Sequence, residues 1–524
     1  MPARSGSSTI KAMLTRICSP LLVLWLAFGL RLVRLDFQSL WWDEGHSIFV
    51  AAHPISQIPT LPAMDVHPPL YFVLLHGWLI IAGRSEFALR YLSVVFSLLT
   101  VALLWRFAAS LAHRTGQTFA PALVTSLLAA LSPFYVAYAQ EVRSYALITC
   151  LALASTYALW QILFRPPAAG ARRPAVVIYV ISTAACLYTH YFTIFLLLFQ
   201  NLAWLVWVVG GQWSVVSGQS KAVGGQRSAV KQLALWSGVQ AAVLLLFTPQ
   251  LWLALRQVTG YTNPNLSPPP LIDFISRSWQ AYTVGLTLDP TPARWGMVFL
   301  LVVLLTAWLS LLIQLRNFST QNFKLETQNF LFLTAWFVLP LAAYFIVLQR
   351  QPSFEPRYMM LVTPALFLLL GLGSGQAASG QWQVAGSKVA GNRVAGSKVA
   401  GSRVAGSRVA SSRVASNKWQ VAGIPKSPAP RSPLSAFRSP LSALRPSLLA
   451  LRLTLPAITL IVFVVSLHSY YTNDAYFKDD SAGVAGWLAN ETGANDLVYI
   501  DVPHPFHYYA GRIPAPTRYL FVDI

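Results

Sequence analysis

The chain has 524 residues, of which 55% are hydrophobic and 10% are charged, and its net charge is +21. Soluble domains carry about 25% charged residues, so this composition excludes an ordinary soluble domain and predicts a membrane protein. The basic residues follow the membrane topology described below, so the net charge does not indicate a nucleic-acid partner. The three cysteines lie in apolar runs, which indicates small core residues rather than a disulfide framework or a zinc site.

The N-terminal residues 1–16 are basic, and the apolar run 17–35 follows them. No small-residue cleavage site comes after this run, so we predict an uncleaved first span. Further runs of spanning length are found at 87–111, 118–133, 145–164, 175–190, 191–209, 232–255, 295–314, 329–348, 358–373 and 454–471. The predicted fold class is an all-α polytopic membrane protein with about eleven transmembrane helices.

The run 69–83 is shorter and is interrupted by His76. As a helix it rises only about 22 Å, so we predict a re-entrant or juxtamembrane helix within the first outer loop, 36–86. With this assignment, the predicted inner segments hold most of the 38 Lys and Arg residues but, among the 17 acidic residues, only Glu326. This positive-inside bias predicts a plasma (inner) membrane protein with a cytoplasmic N-terminus.

The predicted organisation is one long transmembrane region, 17–373, followed by a low-complexity segment. Outer loops are expected at 36–86, 134–145 and 256–294. Residues 374–453 contain a basic pentapeptide repeat at 384–418, which predicts a disordered cytoplasmic loop. The last span, 454–471, leads into a short extracytoplasmic segment, 472–524. That segment is expected to pack on the outer loops or to begin a larger domain.

The outer loops collect the unusual polar residues of the chain. Carboxylates are costly in a bilayer, so these residues are predicted to face a polar cavity at its outer surface. Carboxylates, arginines, histidines and tyrosines above an apolar bundle suit a substrate with an anionic headgroup and a lipid tail. The candidate site residues are Asp43, Glu44, His67, Glu86, Glu141, Arg143, Tyr145, His190, Glu355 and Arg357.

Several short motifs occur in order along these loops. They are Trp41-Trp42-Asp43-Glu44, the segments 65–71 and 86–90, Ser132-Pro133-Phe134, and the segments 138–146 and 187–192. In this order they resemble motifs of the polytopic glycosyltransferases of the GT-C class. The most similar branch contains protein O-mannosyltransferases, the lipid A aminoarabinose transferase and the galacturonosyltransferases of the Rgt type. The resemblance covers about residues 17–210.

The resemblance implies transfer of a hexose or pentose from a polyprenyl-phosphate carrier to an extracytoplasmic acceptor, which could be a glycan, a lipid or a protein. It also implies that Asp43 is the general base, although a structural or metal-supporting role is the alternative. We expect Asp43 and Glu44 to lie in an extended segment and to face different ways, with both assigned to the catalytic group. Arg143 and Arg357 are candidates for the lipid phosphate, because guanidinium groups match phosphate oxygens bidentately.

Other roles remain open for the remaining candidates. Glu141 and Arg143 could form a local ion pair, and His67 could set the turn into the 69–83 helix. His190 could be an interface histidine, and the Glu355–Arg357 pair could cap the following helix. No cofactor is certain. A divalent metal is possible, but no dense cluster of ligands demands one. The alternative functions are a transporter or flippase, or a non-catalytic membrane subunit, for lipid-linked saccharides.

Overall fold

The computed structural model describes residues 5–61, 64, 67–117, 119–164, 172–216, 225–260, 267–315, 321–378, 445–493, 496–500, 503–510 and 518–521. Contacts divide the chain into one unit of residues 1–379 and 451–524 and a second unit of residues 380–450. Of the second unit, only residues 445–450 are described, and they are helical. Most of the predicted low-complexity loop, including 384–418, therefore lies outside the described residues.

The first unit is built from helices, which explains the long apolar runs of the sequence. The helices before the low-complexity segment are α1 Ser5–Leu32, α2 Trp42–Ala52, α3 Leu70–Ala82, α4 Glu86–Thr115, α5 Ala120–Leu131, α6 Pro133–Ala139, α7 Tyr145–Phe164, α8 Arg172–Leu187, α9 Thr193–Val216, α10 Gly225–Gly260, α11 Leu271–Thr283, α12 Pro290–Leu315, α13 Gln321–Leu348 and α14 Thr363–Ala378. Short 3₁₀ helices span Ile58–Thr60 and Pro356–Val362.

After the low-complexity segment, helix α15 spans Arg445–Thr472 and is followed by a 3₁₀ turn at Asp474–Tyr476. Helices α16 and α17 span Ser481–Glu491 and Pro503–Ala510. Strand β1, Leu497–Ile500, pairs in parallel with β2, Arg518–Phe521, with Leu497 opposite Arg518. The helices extend to Ala378 and begin again at Arg445, so both ends of the predicted disordered loop 374–453 are helical.

The all-α polytopic fold is confirmed, with one small sheet near the C-terminus. Each of the eleven predicted runs overlaps a helix. By length and composition, five helices of the described part are long and apolar enough to cross a membrane, or six if the bent pair α5 and α6 forms one span. Several other runs form shorter apolar helices, so the predicted number of eleven spans is not confirmed.

The central helices α4, α5, α7 and α14 pack closely against one another. Small residues allow this approach: a Cβ added at Gly371 of α14 would lie 1.9 Å from Thr125 Oγ1 and 2.8 Å from the Pro121 carbonyl oxygen in α5. The bend of 55° between α5 and α6 exposes helix-end carbonyls. The fully buried Arg31 donates hydrogen bonds to two of them, at Ala129 and Ala130.

The predicted re-entrant or juxtamembrane segment is helix α3, whose 13 residues rise about 20 Å. The two prolines that follow His67 lead into it. The Leu70 N–H donates a hydrogen bond to the Tyr188 carbonyl oxygen at 2.9 Å. This bond joins the start of α3 to the turn after α8, and it brings His67 and His190 to the same part of the molecule.

The C-terminal segment packs on the predicted first outer loop, which is one of the two alternatives that the sequence left open. The Lys478 N–H donates to Gln38 Oε1 at 3.0 Å, Ser39 Oγ donates to Asp480 Oδ1 at 2.7 Å, and the Leu40 N–H donates to Tyr509 Oη at 2.8 Å. Three consecutive residues of the loop are thus held by residues more than 430 positions away in the sequence.

Candidate active site

Asp43 and Glu44 lie in the first turn of α2, which begins at Trp42. The expectation of an extended segment is therefore wrong. Carboxylates are favoured in a first helical turn, because the exposed N–H groups there carry partial positive charge. Adjacent helical residues are separated by about 100° around the axis, so the two side chains still face different ways.

Glu44 faces inward and is fully buried. Arg90 donates to both of its carboxylate oxygens, at 2.9 and 2.8 Å, and Lys478 Nζ and the Val142 N–H each donate at 3.0 Å. Burial would raise the pKa of Glu44, but Arg90, Lys478 and the Val142 N–H outweigh it and lower the pKa to about 2. Glu44 is therefore ionised, and its hydrogen bonds connect α2 with α4, the predicted second outer loop and the C-terminal segment.

Asp43 faces a different side of the helix and lies between two arginines. Its Oδ2 atom is 3.4 Å from Arg357 Nη2 and 3.8 Å from Arg143 Nη2. The Nε–H groups of both arginines are buried and have no hydrogen-bond acceptor among the described residues. Each guanidinium therefore keeps a donor for a further anion. The Tyr145 ring lies 5.7 Å from the Arg143 guanidinium and 5.8 Å from that of Arg357.

These groups line a cavity of about 280 Å³, the site cavity. Its lining includes polar side chains and also the apolar side chains of Phe72, Phe192, Val258 and Val347. A lining of both kinds suits a ligand with a charged head and a hydrocarbon tail. The polar lining comprises Asp43, His67, Arg143, Tyr145, His190, Gln351, Ser353, Arg357 and Tyr358, among others.

The two histidines of the site cavity are neutral near pH 7. Burial and the nearby Arg143 lower the pKa of His190 to about 4. Burial, followed by the charge of Arg143, also lowers the pKa of His67 well below its ordinary value. Arg143 Nη2 lies 3.5 Å from His67 Nε2. For Arg143 itself, burial lowers the pKa, but Tyr145 and Asp43 outweigh burial and raise it, so the arginines carry the positive charge.

The structure brings together six of the ten residues predicted for the site: Asp43, His67, Arg143, Tyr145, His190 and Arg357 all line the cavity. The other four, Glu44, Glu86, Glu141 and Glu355, do not. The assignment of Glu44 to the catalytic group is therefore corrected, because a fully buried carboxylate bonded to Arg90 and Lys478 cannot reach a ligand in the cavity.

The other three carboxylates have different surroundings. Glu86 lies in the first turn of α4. The Glu355 N–H donates to Tyr344 Oη at 3.4 Å, just before the 3₁₀ helix at 356–362. Glu141 lies 3.9 Å from Lys478 Nζ and lines a neighbouring cavity. Among the described residues, Glu141 pairs with Lys478 and not with Arg143, so the structure does not contain the local pair that was the alternative for these two residues.

Sequence reasoning missed Arg90, Lys478 and Tyr358. Arg90 stands within an apolar run, and an isolated charge at such a position is a signal for a functional or paired residue. Lys478 follows the last span with no distinguishing pattern around it, so nothing in the sequence pointed to it.

Among the described residues, the side chains of the site are not grouped as the ligands of a metal ion. No group of three or more His, Cys, Asp or Glu side chains within the described residues is arranged to hold a metal ion. The carboxylate of Asp43 is instead paired with guanidinium groups. Asp65 lies outside the described residues.

Comparisons with known proteins agree with this architecture. Residues 66–225 match the family model described as dolichyl-phosphate-mannose-protein mannosyltransferase. The crystal structure of ArnT from Cupriavidus metallidurans in the apo state matches with a TM-score of 0.52 and 14% identity, over 96% of this chain and 85% of that chain. The chain has a GT-C fold. The resemblance found in the sequence motifs is confirmed.

Two further structures of GT-C proteins are less similar. ArnT from Cupriavidus metallidurans bound to undecaprenyl phosphate matches with a TM-score of 0.49 and 16% identity, over 95% of this chain and 85% of that chain. The S. cerevisiae protein O-mannosyltransferase Pmt1-Pmt2 complex bound to the sugar donor matches with a TM-score of 0.36 and 19% identity, over 45% and 34% of the two chains. No curated protein matches the sequence.

Within this GT-C fold, Gly45 allows α17 to approach α2. A Cβ at Gly45 would lie 2.5 Å from the Pro505 backbone nitrogen and 2.7 Å from the His504 carbonyl carbon. We expect Gly45→Ala to lower the free energy of unfolding by about 1–3 kcal/mol, since backbone atoms must move. Thermal unfolding measures this loss, and hydrogen exchange of residues 503–510 should accelerate.

Gly77→Ala is the matched control, because a Cβ at Gly77 in α3 would meet no atom within 4 Å. Equal unfolding temperatures for the two variants would contradict the close approach of α2 and α17.

Proposed function

We propose that this protein is a glycosyltransferase that moves a sugar from a polyprenyl-phosphate carrier to an acceptor hydroxyl, with Asp43 as the general base. The observation that carries the proposal is the placement of Asp43 between Arg143 and Arg357, whose buried Nε–H groups lack acceptors among the described residues. A phosphate group supplies the oxygens that these donors need. The GT-C fold and the family match support the same reaction class.

The charge balance of the site supports a phosphodiester donor. Within the described residues, the ion pairs link Arg90, Lys478, Arg143 and Arg357 to Asp43, Glu44 and Glu141. The four basic side chains therefore carry one positive charge more than the three carboxylates neutralise. A monoanionic sugar phosphodiester neutralises this remaining charge. Burial, opposed by Lys478 and reinforced by Glu44, raises the pKa of Glu141.

The reaction follows from these positions. The acceptor oxygen forms a bond to the anomeric carbon of the donor sugar, and its proton passes to the Asp43 carboxylate. The bond from the anomeric carbon to the phosphate oxygen breaks, and its electron pair stays with the phosphate. Arg143 and Arg357 stabilise the charge that develops there. Attack opposite the leaving phosphate inverts the configuration of the sugar.

The apolar side chains that line the site cavity accommodate the start of the carrier chain. Val258 belongs to α10 and Val347 to α13, and both helices qualify as membrane spans. The hydrocarbon chain would then remain in or beside the bilayer while the phosphate reaches the arginines. We place the reaction on the extracytoplasmic side of the plasma membrane, on the strength of the positive-inside charge distribution.

Phosphate recognition is tested with undecaprenyl phosphate as the probe. Arg143→Met and Arg357→Met should each weaken its binding about 10- to 100-fold, since a hydrogen bond to a charged group contributes about 1.5–3 kcal/mol. Binding is measured with radiolabelled lipid and purified protein in nanodiscs. Uncharged undecaprenol should bind all the variants equally, because it lacks the phosphate.

Arg350→Met serves as the control, because Arg350 is exposed and does not line the site cavity. If undecaprenyl phosphate bound equally well to all three variants and to the unaltered protein, the assignment of the two arginines to phosphate binding would be refuted.

A further inference from the structure

A second cavity of about 220 Å³ lies beside the site cavity. It is comparable in volume to the site cavity, so it has room for a small polar group. The transmembrane region and the C-terminal part of the chain both contribute to its lining, which includes Trp41, Tyr138, Glu141, Tyr470, Tyr476 and Lys478.

Aromatic rings lie close to groups of both cavities. The centroid of the Trp41 ring is 5.6 Å from the guanidinium of Arg357, which lines the site cavity, and 6.0 Å from Nζ of Lys478, which lines the second cavity. The Tyr138 ring, in the second cavity, lies 5.1 Å from the Tyr145 ring, in the site cavity. A group bound in the second cavity therefore lies close to the residues assigned to the donor phosphate, with aromatic side chains next to both.

The polar groups of the second cavity suit a ligand that both donates and accepts hydrogen bonds. Glu141 Oε2 is buried and accepts no hydrogen bond from the described residues. Lys478 Nζ donates to Glu44 at 3.0 Å, which leaves further N–H groups, and lies 3.9 Å from Glu141. Hydroxyl groups can donate to the carboxylate and accept from the ammonium group, whereas a simple anion would be repelled by Glu141.

The shape of the wall adds a second requirement, because the rings of Trp41, Tyr138 and Tyr476 offer apolar faces next to these polar groups. A sugar ring has an apolar face of C–H groups and a rim of hydroxyls, so it meets both conditions at once. An amino-acid side chain with a single hydroxyl would leave most of this lining unused.

We infer that the second cavity binds a monosaccharide unit of the acceptor, so that the acceptor is a glycan. This inference rests on the proposed transferase function. The reactive hydroxyl extends past Trp41 to Asp43, forms the new bond to the anomeric carbon and gives its proton to the Asp43 carboxylate. The C-terminal segment thereby helps to select the acceptor, through Tyr476 and Lys478.

The test uses purified protein in nanodiscs and a set of radiolabelled undecaprenyl-phosphate-linked hexoses and pentoses. Methyl glycosides serve as acceptor probes, and serine- and threonine-containing peptides represent the other acceptor class. Hydrolysis of the donor by water and transfer to the probe are measured in the same reaction. In the unaltered protein, at least one methyl glycoside should receive the sugar, and the peptides should not.

Tyr476→Ala should lower the ratio of transfer to hydrolysis at least tenfold, while Tyr476→Phe, which keeps the ring, should stay within threefold of the unaltered protein. Tyr499→Ala is the matched control, because Tyr499 is an exposed tyrosine of the same segment, in β1, and should leave the ratio unchanged. Thermal unfolding of each variant shows whether the protein remains folded.

The outcomes separate the two proposals. Consumption of none of the donors by the unaltered protein would refute the transferase function, and the inference with it. Donor hydrolysis with transfer to peptides, or a ratio that Tyr476→Ala leaves unchanged, would refute the glycan acceptor while leaving the transferase function intact.

Discussion

Replacing Asp43 by Asn should lower the rate of sugar transfer about 10²- to 10⁴-fold, the usual contribution of a general base. The amide keeps the shape of the side chain but cannot take the acceptor proton. It also removes a negative charge between Arg143 and Arg357, so binding of undecaprenyl phosphate should be retained or strengthened. Single-turnover transfer and lipid binding, measured on the same preparation, separate these two effects.

Asp479→Asn provides the control for this change, since Asp479 is an exposed acid of the C-terminal segment. A transporter or a non-catalytic subunit would have no use for a base at position 43. Transfer that survives Asp43→Asn at an unchanged rate would therefore remove Asp43 from the mechanism.

The largest loss of stability is expected for Arg90→Met. Arg90 forms a bidentate pair with the buried Glu44 and also donates to the carbonyl oxygens of Leu35, Gln38 and Ser39. Removal of one partner of a buried pair costs about 3–5 kcal/mol, because the other charge stays buried. Thermal unfolding in detergent should show this loss.

A double variant distinguishes the stability lost through the unpaired carboxylate from the stability lost through changed packing around Arg90. Arg90→Met combined with Glu44→Leu should recover part of the lost stability, since no carboxylate is then left unpaired. Arg350→Met, at an exposed position, is the control for loss of an arginine. If the double variant were as unstable as the sum of the two single variants, the ion pair would not be the cause.

The same pair predicts a dependence of stability on pH. The pKa of Glu44 is lowered from 4.5 to about 2, so the folded state favours the ionised form. The contribution of ionised Glu44 to the free energy of unfolding is fully present above pH 4.5 and is lost as the pH falls toward 2. Replacement of Glu44 by Gln should remove this part of the pH dependence.

The sequence predicted the helices well because burial in a bilayer demands long apolar runs. It also predicted six residues of the site cavity, since His67, Arg143 and Arg357 are polar residues at the ends of such runs. It did not predict that α2 begins at Trp42, because the stretch carries two acids and a glycine and has no long apolar pattern. The helix is held by contacts with distant residues.

The role of Glu44 shows why the remainder of the site could not be predicted. Asp43 and Glu44 are chemically alike and adjacent, and only the direction of each side chain distinguishes the proposed base from a buried, ion-paired carboxylate. That direction depends on Arg90 in α4 and on Lys478, which is 434 positions away from Glu44. Long-range contacts of this kind leave no local pattern in the sequence.

The central claim is tested most directly by incubating the purified protein with a set of undecaprenyl-phosphate-linked sugars and with the methyl glycoside and peptide acceptors, and measuring the release of free undecaprenyl phosphate. We expect release from at least one donor, and we expect Asp43→Asn to reduce it to near background while the variant stays folded and binds undecaprenyl phosphate. Equal release by the unaltered protein and the Asp43→Asn variant, or no release from any donor, would contradict the account.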